Sequence, residues 1–440
     1  MDTGSREENA LTQRFRAFHR FHEKVKRSNA SPTIDPAPGQ RAALGWAPRH
    51  PGTSRLAKGQ RRMIPMKPIS RRSFVGGAGA AALACGLAAS PSLGAGDADT
   101  PLRVRAARKG MQFGSAVMAQ HLQQMPELGA AIIRDCAVIV PENEMKWRYV
   151  EKVRGRPDYR DADQLAAFAA GNGLAMRGHT ALWYRNSPPW LEPDLKTPAG
   201  RGLLLDHVTR LVGRFRGRVS EWDVVNEMIE PQDNLPQEMR NWPPFAPGDV
   251  GFLAECFHAA RAADPGALLF YNDYGYEYSD RERIGERRRA ATLELIAALK
   301  SRNAPIGALG VQCHATVGNR FVAKEYRKFL ADVASLGVKI VLTEFDVNDK
   351  RVKGDVAERD RQVAAHAREI LTVAFDERAV TGLLTWGLTS RYSWLSSSPD
   401  PRDRRADGLP ARSLPLDENL ARTPLWFAIA DCFDKAAPRN

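Results

Sequence analysis

The sequence predicts an α/β protein: a single (β/α)8 TIM barrel preceded by a disordered, signal-bearing N-terminal segment. Three observations predict it. Beyond about residue 101, eight short apolar runs alternate with stretches of helical periodicity. Polar, aromatic and carboxylate residues gather where most of those runs end. Two of the runs lead into glutamates, Glu227 in Trp222-Asp-Val-Val-Asn-Glu227 and Glu344 in Val341-Leu-Thr-Glu344. In a parallel barrel the C-terminal ends of the strands form the face that carries the site.

The chain opens on a basic, Pro- and His-rich segment with little periodicity. Residues 1–72 hold 16 Lys and Arg against 5 Asp and Glu, which leaves 48 against 46 in the other 368 residues. The net charge of +13 therefore belongs to the N-terminal segment, and a nucleic-acid partner loses its main support. Residues 1–65 read as a disordered extension or as sequence upstream of the true start, expected at Met66 or Met63. Residues 66–95 resemble a twin-arginine secretion signal: Ser70-Arg71-Arg72-Ser73-Phe74-Val75, a Gly- and Ala-rich apolar stretch, then small residues near Ala95. The expected destination is the periplasm or the medium, with no stable membrane association of the mature chain.

From residue 101 to 437 the pattern is that of the barrel. Strands are predicted at 111–117, 136–140, 174–178, 219–225, 267–271, 307–312, 338–342 and 381–386. Helices are predicted at 161–172, 203–215, 252–263, 290–300, 321–336, 359–375 and 424–433. Leu204, Val208, Leu211 and Phe215, for example, recur at helical spacing. The strand ends collect the chemistry: Glu142, Asn143, Glu144 and Lys146 after the second, His179 and Trp183 after the third, Asn226 and Glu227 after the fourth. Asn272-Asp273-Tyr274 follows the fifth, Gln312 and His314 the sixth, Glu344 and Asp346 the seventh, and Trp386 ends the eighth. The five cysteines are widely scattered, with no CxxC pair, and read as buried free thiols, one disulfide staying open for an exported protein. No metal-ligand spacing occurs.

Two carboxylates converging on a barrel mouth suit the cleavage of a glycosidic bond. One must attack as an anion, and the other must begin with a proton to give. Glu344 and Asp346 share a strand face, so His314 can bridge them and help keep Glu344 charged. Trp386 and Trp394 offer flat apolar surfaces against the C–H faces of pyranose rings. Trp147 and Trp222 read as packing residues, His207 and His258 as surface or packing residues on helices, and Asp223 as a strand-end residue. Glu144 reads equally as a solvated loop charge.

Taken in order, PENEMKW, RGHTALW, WDVVNE, NDY, VQCH, LTEFDV and LLTWGLTSRYSW resemble glycoside hydrolase family 10, the retaining endo-β-1,4-xylanases, over roughly residues 111–434. The resemblance implies Glu227 as general acid/base and Glu344 as nucleophile, with Asn226, His314 and Asp346 in support. It implies a sugar-binding cleft lined by Glu142, Asn143, Lys146, His179, Trp183, Tyr184, Gln312, Trp386 and Trp394. It implies xylan or xylo-oligosaccharides as substrate, a monomer, and chemistry that needs neither metal nor organic cofactor. Tyr184 stands where the family usually has His, Asn186 where it has Gln, and Ser390 where an acidic residue is common. Tyr184 supplies no cation near neutral pH, so an altered contact beside the cleaved sugar is expected. Another β-1,4-glycanase or an aryl β-glycosidase on the same barrel, or a sugar-binding protein on a decayed one, stays open at this point.

Overall fold

The computed structural model describes residues 99–246 and 248–439; the extension and the signal expected before residue 96 lie outside them. Among these residues eight parallel strands close a ring: β1 (Gln112–Val117), β2 (Val138–Pro141), β3 (Ala175–Gly178), β4 (Glu221–Asn226), β5 (Leu268–Asp273), β6 (Ala308–Val311), β7 (Lys339–Asn348) and β8 (Val380–Thr385). Each pairs with the next, and β1 pairs back onto β8 with Gln112 opposite Gly382 and Ser115 opposite Thr385. The ring leaves no barrel edge unpaired. Its helices are α1 (Pro126–Asp135), α2 (Arg160–Gly171), α3 (Ala199–Arg214), α4 (Val250–Ala263), α5 (Ile284–Ser301), α6 (Ala323–Ser335), α7 (Val356–Asp376) and α8 (Pro424–Lys435). Asp249 and Asp355 cap α4 and α7 by accepting from the backbone N–H groups of Phe252 and Glu358. No described helix is long and apolar enough to cross a membrane.

Alternate strand residues point inward and fill the barrel. Ala116, Val138, Val140, Phe270, Ala308, Val341 and Leu384 form one cluster, closed at the mouth by Trp386 and flanked by Trp394. Below that mouth lies a charged layer. Arg177, 1% exposed, is ion-paired with Glu221 at 2.9 Å and with Asp223, and its guanidinium lies 3.8 Å from the Phe270 ring centre. Gln112 donates to the other Glu221 oxygen at 2.8 Å. A buried cation is tolerated there because carboxylates and a ring face replace the water it has lost.

The predicted strands and helices all occur, with shifts that have physical causes. The seventh strand is predicted to stop at 342 but continues to Asn348. Past Glu344 it pairs with a short accessory strand, His314–Thr316, with His314 opposite Asp346 and Thr316 opposite Asn348. A second accessory strand, Leu182–Trp183, pairs with the end of β4. Helix α5 begins six residues before its apolar periodicity because Arg288 and Arg289 in its first turns are buried, 2% and 7% exposed, against carboxylates and carbonyls. Helix α1 and the short helix Ala119–Gln124 have no counterpart in the predicted pattern; the Met125-Pro126 junction breaks their periodicity. Cys136, Cys256, Cys313 and Cys432 are buried free thiols, as expected, and Cys85 lies outside the described residues.

Candidate active site

Glu227 follows β4 directly and is 8% exposed. Its φ is +60°, a left-handed conformation that costs a non-glycine residue about 1–3 kcal/mol unless its surroundings hold it. Several groups do hold it. Its N–H donates to the Asn272 carbonyl at 2.9 Å, and its carbonyl accepts from Arg240 Nε at 2.7 Å. Among the described residues the donors to its carboxyl are neutral amides, Gln312 Nε2 at 3.0 Å and Asn226 Nδ2 at 3.2 Å.

Glu344 sits within a strand, and its setting is ionic. Its N–H donates to the Gln312 carbonyl at 3.0 Å, and its Oε1 accepts from Asn272 Nδ2 at 2.8 Å. His314 Nε2 is 3.2 Å from Oε2, and His179 Nδ1 is 4.0 Å from Oε1. Burial alone would raise its pKa. The His314 hydrogen bond and the charges of His179, His314 and Lys146 outweigh that and hold it down at about 2. The His314 ring is held charged in turn. Burial works against its proton, but Asp346 and Glu344 together lift its pKa well above the ordinary value. Its Nδ1 lies 3.1 Å from Asp346 Oδ2, an ion-pair contact off the line of a good hydrogen bond. Trp394 Nε1 donates to the same Oδ2 at 2.7 Å. The bridge expected of His314 is therefore present.

Asn272 joins the two carboxyl environments. The same Nδ2 lies 2.8 Å from Glu344 and 2.7 Å from Asn226 Oδ1, while its Oδ1 accepts from Thr343 at 2.6 Å. Gly310 on the neighbouring strand makes room for it: a Cβ there would lie 2.1 Å from Asn272 Oδ1. In the sequence Asn272 has only a place at a strand end, because nothing local in Asn-Asp-Tyr tells which strand it reaches across to.

On the other side of the mouth, Lys146 is buried, with Nζ 3.3 Å from Asn143 Oδ1 and 4.9 and 5.5 Å from the ring centres of Trp183 and Trp386. Burial lowers its pKa against the pull of Glu142, Glu344 and Glu227. Glu142, partly open to the cleft, is pushed up to about 7, by burial first, with Lys146 opposing and Glu144 and Glu344 adding. Trp386 meets His179 and His314 edge-on at 5.1 and 6.4 Å, and Trp394 meets His314 at 5.3 Å, so the two tryptophans wall the site together. His179 Nδ1 also lies 2.9 Å from Asp223 Oδ2, which places Asp223 as the strand-end partner of Arg177 and His179.

The remaining assignments sort out as follows. Glu144 is not a solvated loop charge: it accepts from the Ala119 and Asn143 N–H groups at 2.7 and 3.1 Å and ties the β2 loop down. Trp222 is buried against Gly178, where a Cβ would meet its ring at 2.3 Å. Trp147 stacks on His207 at 3.8 Å, so both pack, and His258 is exposed. Asn186 lines a small void with Trp147, Trp183, Ser187 and Trp242. Ser390 is buried, and its hydroxyl finds no partner among the described residues. The Tyr184 ring lies 3.9 Å from the Arg240 guanidinium, and its hydroxyl accepts from Arg185 Nε at 2.6 Å.

Sequence alone gives Arg240, Glu230 and Arg288 no role, and Tyr274 only a place at a strand end. Arg240 binds Glu230 at 3.0 Å and the Tyr274 hydroxyl at 3.2 Å; Arg288 binds Glu230 at 3.1 Å and Asp273 at 3.3 Å. Burial pushes Asp273 up to about 6 in spite of Arg288. Three consecutive arginines, 287–289, on a helix with an apolar face were a usable signal. Arg240, on a long loop without periodicity, gave none. No group of three or more His, Cys, Asp or Glu among the described residues is arranged to hold a metal ion.

Comparison with known proteins bears on the family and the fold. The profile of glycosyl hydrolase family 10 matches residues 101–432. Endo-1,4-beta-xylanase B of Thermotoga neapolitana is 29% identical over 345 residues, covering 77% of this chain and 93% of the relative. Beta-1,4-xylanase of Dictyoglomus thermophilum is 32% identical over 270 residues, 58% of this chain and 72% of the relative. Among solved structures, xylanase 10B from Thermotoga petrophila RKU-1 in complex with xylobiose superposes with a TM-score of 0.68 at 26% identity, covering 76% of this chain and 97% of that one. Native xylanase 10B from Thermotoga maritima gives a TM-score of 0.66 at 26% identity, with 76% and 98% covered.

Proposed function

Since this chain belongs to glycosyl hydrolase family 10, we propose that it is a retaining endo-β-1,4-xylanase, with Glu344 the nucleophile and Glu227 the acid/base. The observation that carries the division of roles is the contrast between two buried carboxyls. Glu344 is held anionic at about 2 amid His314, His179 and Lys146, whereas Glu227 is hydrogen-bonded by the neutral amides of Gln312 and Asn226. In the first step a Glu344 oxygen bonds to the anomeric carbon while Glu227 gives its proton to the glycosidic oxygen, and the leaving sugar departs. In the second, Glu227 takes a proton from water, the water oxygen attacks the same carbon, and the ester to Glu344 breaks. Two inversions leave the β configuration.

The charge flow explains why the His314 cation stands behind Glu344, while the donors to the Glu227 carboxyl are neutral amides. Once the nucleophile becomes a neutral ester, Glu227 loses a negative neighbour, which suits its turn as base. Asn226 and Asn272 form an amide pair that links the two carboxyls, and Asn226 is the residue we assign to the 2-hydroxyl of the cleaved sugar, a contact that tightens at the transition state. Trp183, Trp386 and Trp394 supply the apolar walls, and Glu142, Asn143 and Lys146 the polar contacts of the next sugar. The named xylanase relatives and the xylobiose complex support xylan as the substrate class.

The test follows product configuration. Xylo-oligosaccharide hydrolysis monitored by proton NMR gives β-anomer first, before mutarotation; α-anomer appearing first, or no cleavage of xylan by the purified chain, refutes the proposal. Export by the twin-arginine route is part of the same reading, and the intact mass of exported protein then starts near residue 96.

A further inference from the structure

We infer that Arg240 is a positioning residue for the proton donor, acting through the backbone of Glu227; this rests on the acid/base reading of that glutamate. Glu227 is the first residue off its strand and the one residue of the catalytic pair in the left-handed region, with φ +60°. The chain after it is clamped at every peptide. Met228 and Ile229 N–H both donate to the Tyr271 hydroxyl, at 3.2 and 3.1 Å, and Ile229 N–H also to Asp273 at 3.2 Å. Arg288 donates to the Ile229 carbonyl. The Glu227 carbonyl itself is held by Arg240, whose own N–H returns to the Met228 carbonyl at 2.8 Å.

Arg240 does this from a loop, not from a helix or strand, so its side chain must be fixed by other means. It is 8% exposed and uses its donors in separate directions: Nε to Glu227, Nη2 to Glu230 and to the Tyr274 hydroxyl. Its flat face is covered by the ring of Tyr184 at 3.9 Å. A planar guanidinium can do all of this at once; a lysine ammonium can reach one partner but neither forks nor stacks. Tyr184, the departure from the family's usual histidine, thus finds a role as the plate behind Arg240. Without the bond from Arg240, the Glu227 carbonyl loses its side-chain donor, the left-handed peptide is held less tightly by the remaining N–H bonds, and the carboxyl shifts off the glycosidic oxygen. Glu344, held within β7, stays where it is.

That asymmetry sets the experiment. Proton donation matters for a sugar leaving group and little for an activated phenol. We measure kcat/KM, which reports the first covalent step, for a linear xylo-oligosaccharide and for the 2,4-dinitrophenyl β-glycoside of xylobiose. Arg240→Gln lowers the first about 100-fold, the scale of one general acid, and the second less than about fivefold; Arg240→Lys recovers part of the first. Near-ultraviolet circular dichroism establishes that the variants are folded. Equal losses on both substrates, or no loss on either, overturn the inference. Glu227→Gln is run in parallel. If it too loses equally on both substrates, the acid/base reading fails and the inference with it. If it shows the leaving-group contrast and Arg240→Gln does not, the inference alone fails.

Discussion

Replacing His314 by Gln tests the charge arrangement at its centre. Glu344 is held at about 2 against an ordinary value of 4.5, and burial pulls the other way. The His314 hydrogen bond, 3.2 Å from Oε2, is the first of the effects that overcome burial. Each pH unit is worth about 1.4 kcal/mol, so the whole downward shift represents about 3 kcal/mol of preference for the anion. A glutamine keeps one hydrogen bond but no charge, and Lys146 is left to oppose burial with His179. The Glu344 pKa then rises from about 2 toward the ordinary value. The anion is the reactive form, so activity is lost as pH falls through that value. Below pH 6 the unaltered enzyme should hold its kcat/KM down to the pH at which it unfolds, whereas His314→Gln should begin to lose it at a higher pH, tenfold per unit, the slope of a single proton. The assay is kcat/KM on a soluble xylo-oligosaccharide from pH 3 to 8, with folding followed by circular dichroism at each pH. An acid limb that stays put in the variant would refute the assignment of His314 as the group that keeps Glu344 charged.

Three further outcomes follow from the same structure. Arg177→Met leaves Glu221 and Asp223 buried without their cation, and urea unfolding should show a loss of about 3–5 kcal/mol; a loss below 1 kcal/mol would contradict the description of the barrel interior. Gly310→Ala forces a Cβ to within 2.1 Å of Asn272 Oδ1, so kcat should fall at least tenfold along with about 1–3 kcal/mol of stability, whereas Gly217→Ala, at a turn with nothing within 4 Å, should leave kcat alone. Glu142 at about 7 accepts and donates from a neutral carboxyl below that pH and only accepts above it. KM should therefore change between pH 6 and 8 while kcat does not, and Glu142→Gln should flatten the KM profile.

Much of the barrel is legible in the chain because its signals are local. Apolar runs of strand length alternate with helical periodicity, and each run ends on residues that make no sense in a core. Glu227, Glu344 and Asp346 stand out because their neighbours in sequence are also their neighbours in space, two apart on a strand face or adjacent at its end; His314 stands out by ending its own run, although it meets Glu344 from 30 residues away. What escapes notice is set by distance along the chain. Asn272 reaches across the intervening strand β6 to Glu344, 72 residues away; Arg240 folds back 13 residues from an irregular loop onto Glu227. Glu144 looks like a loop charge because its acceptor role depends on the Ala119 N–H, 25 residues upstream. The buried start of α5 is hidden by the rule that arginines are solvated, which fails where carboxylates meet them.

The passage of β7 beyond Glu344, paired through Asn348 to the accessory strand, has a consequence for redesign. Glu344, the proposed nucleophile, is braced by backbone on both flanks, whereas Glu227 stands at the junction of a strand and an irregular loop. Grafting a different 228–249 segment from a sister enzyme should thus retune leaving-group demand and pH response while carbon–oxygen bond formation keeps its geometry.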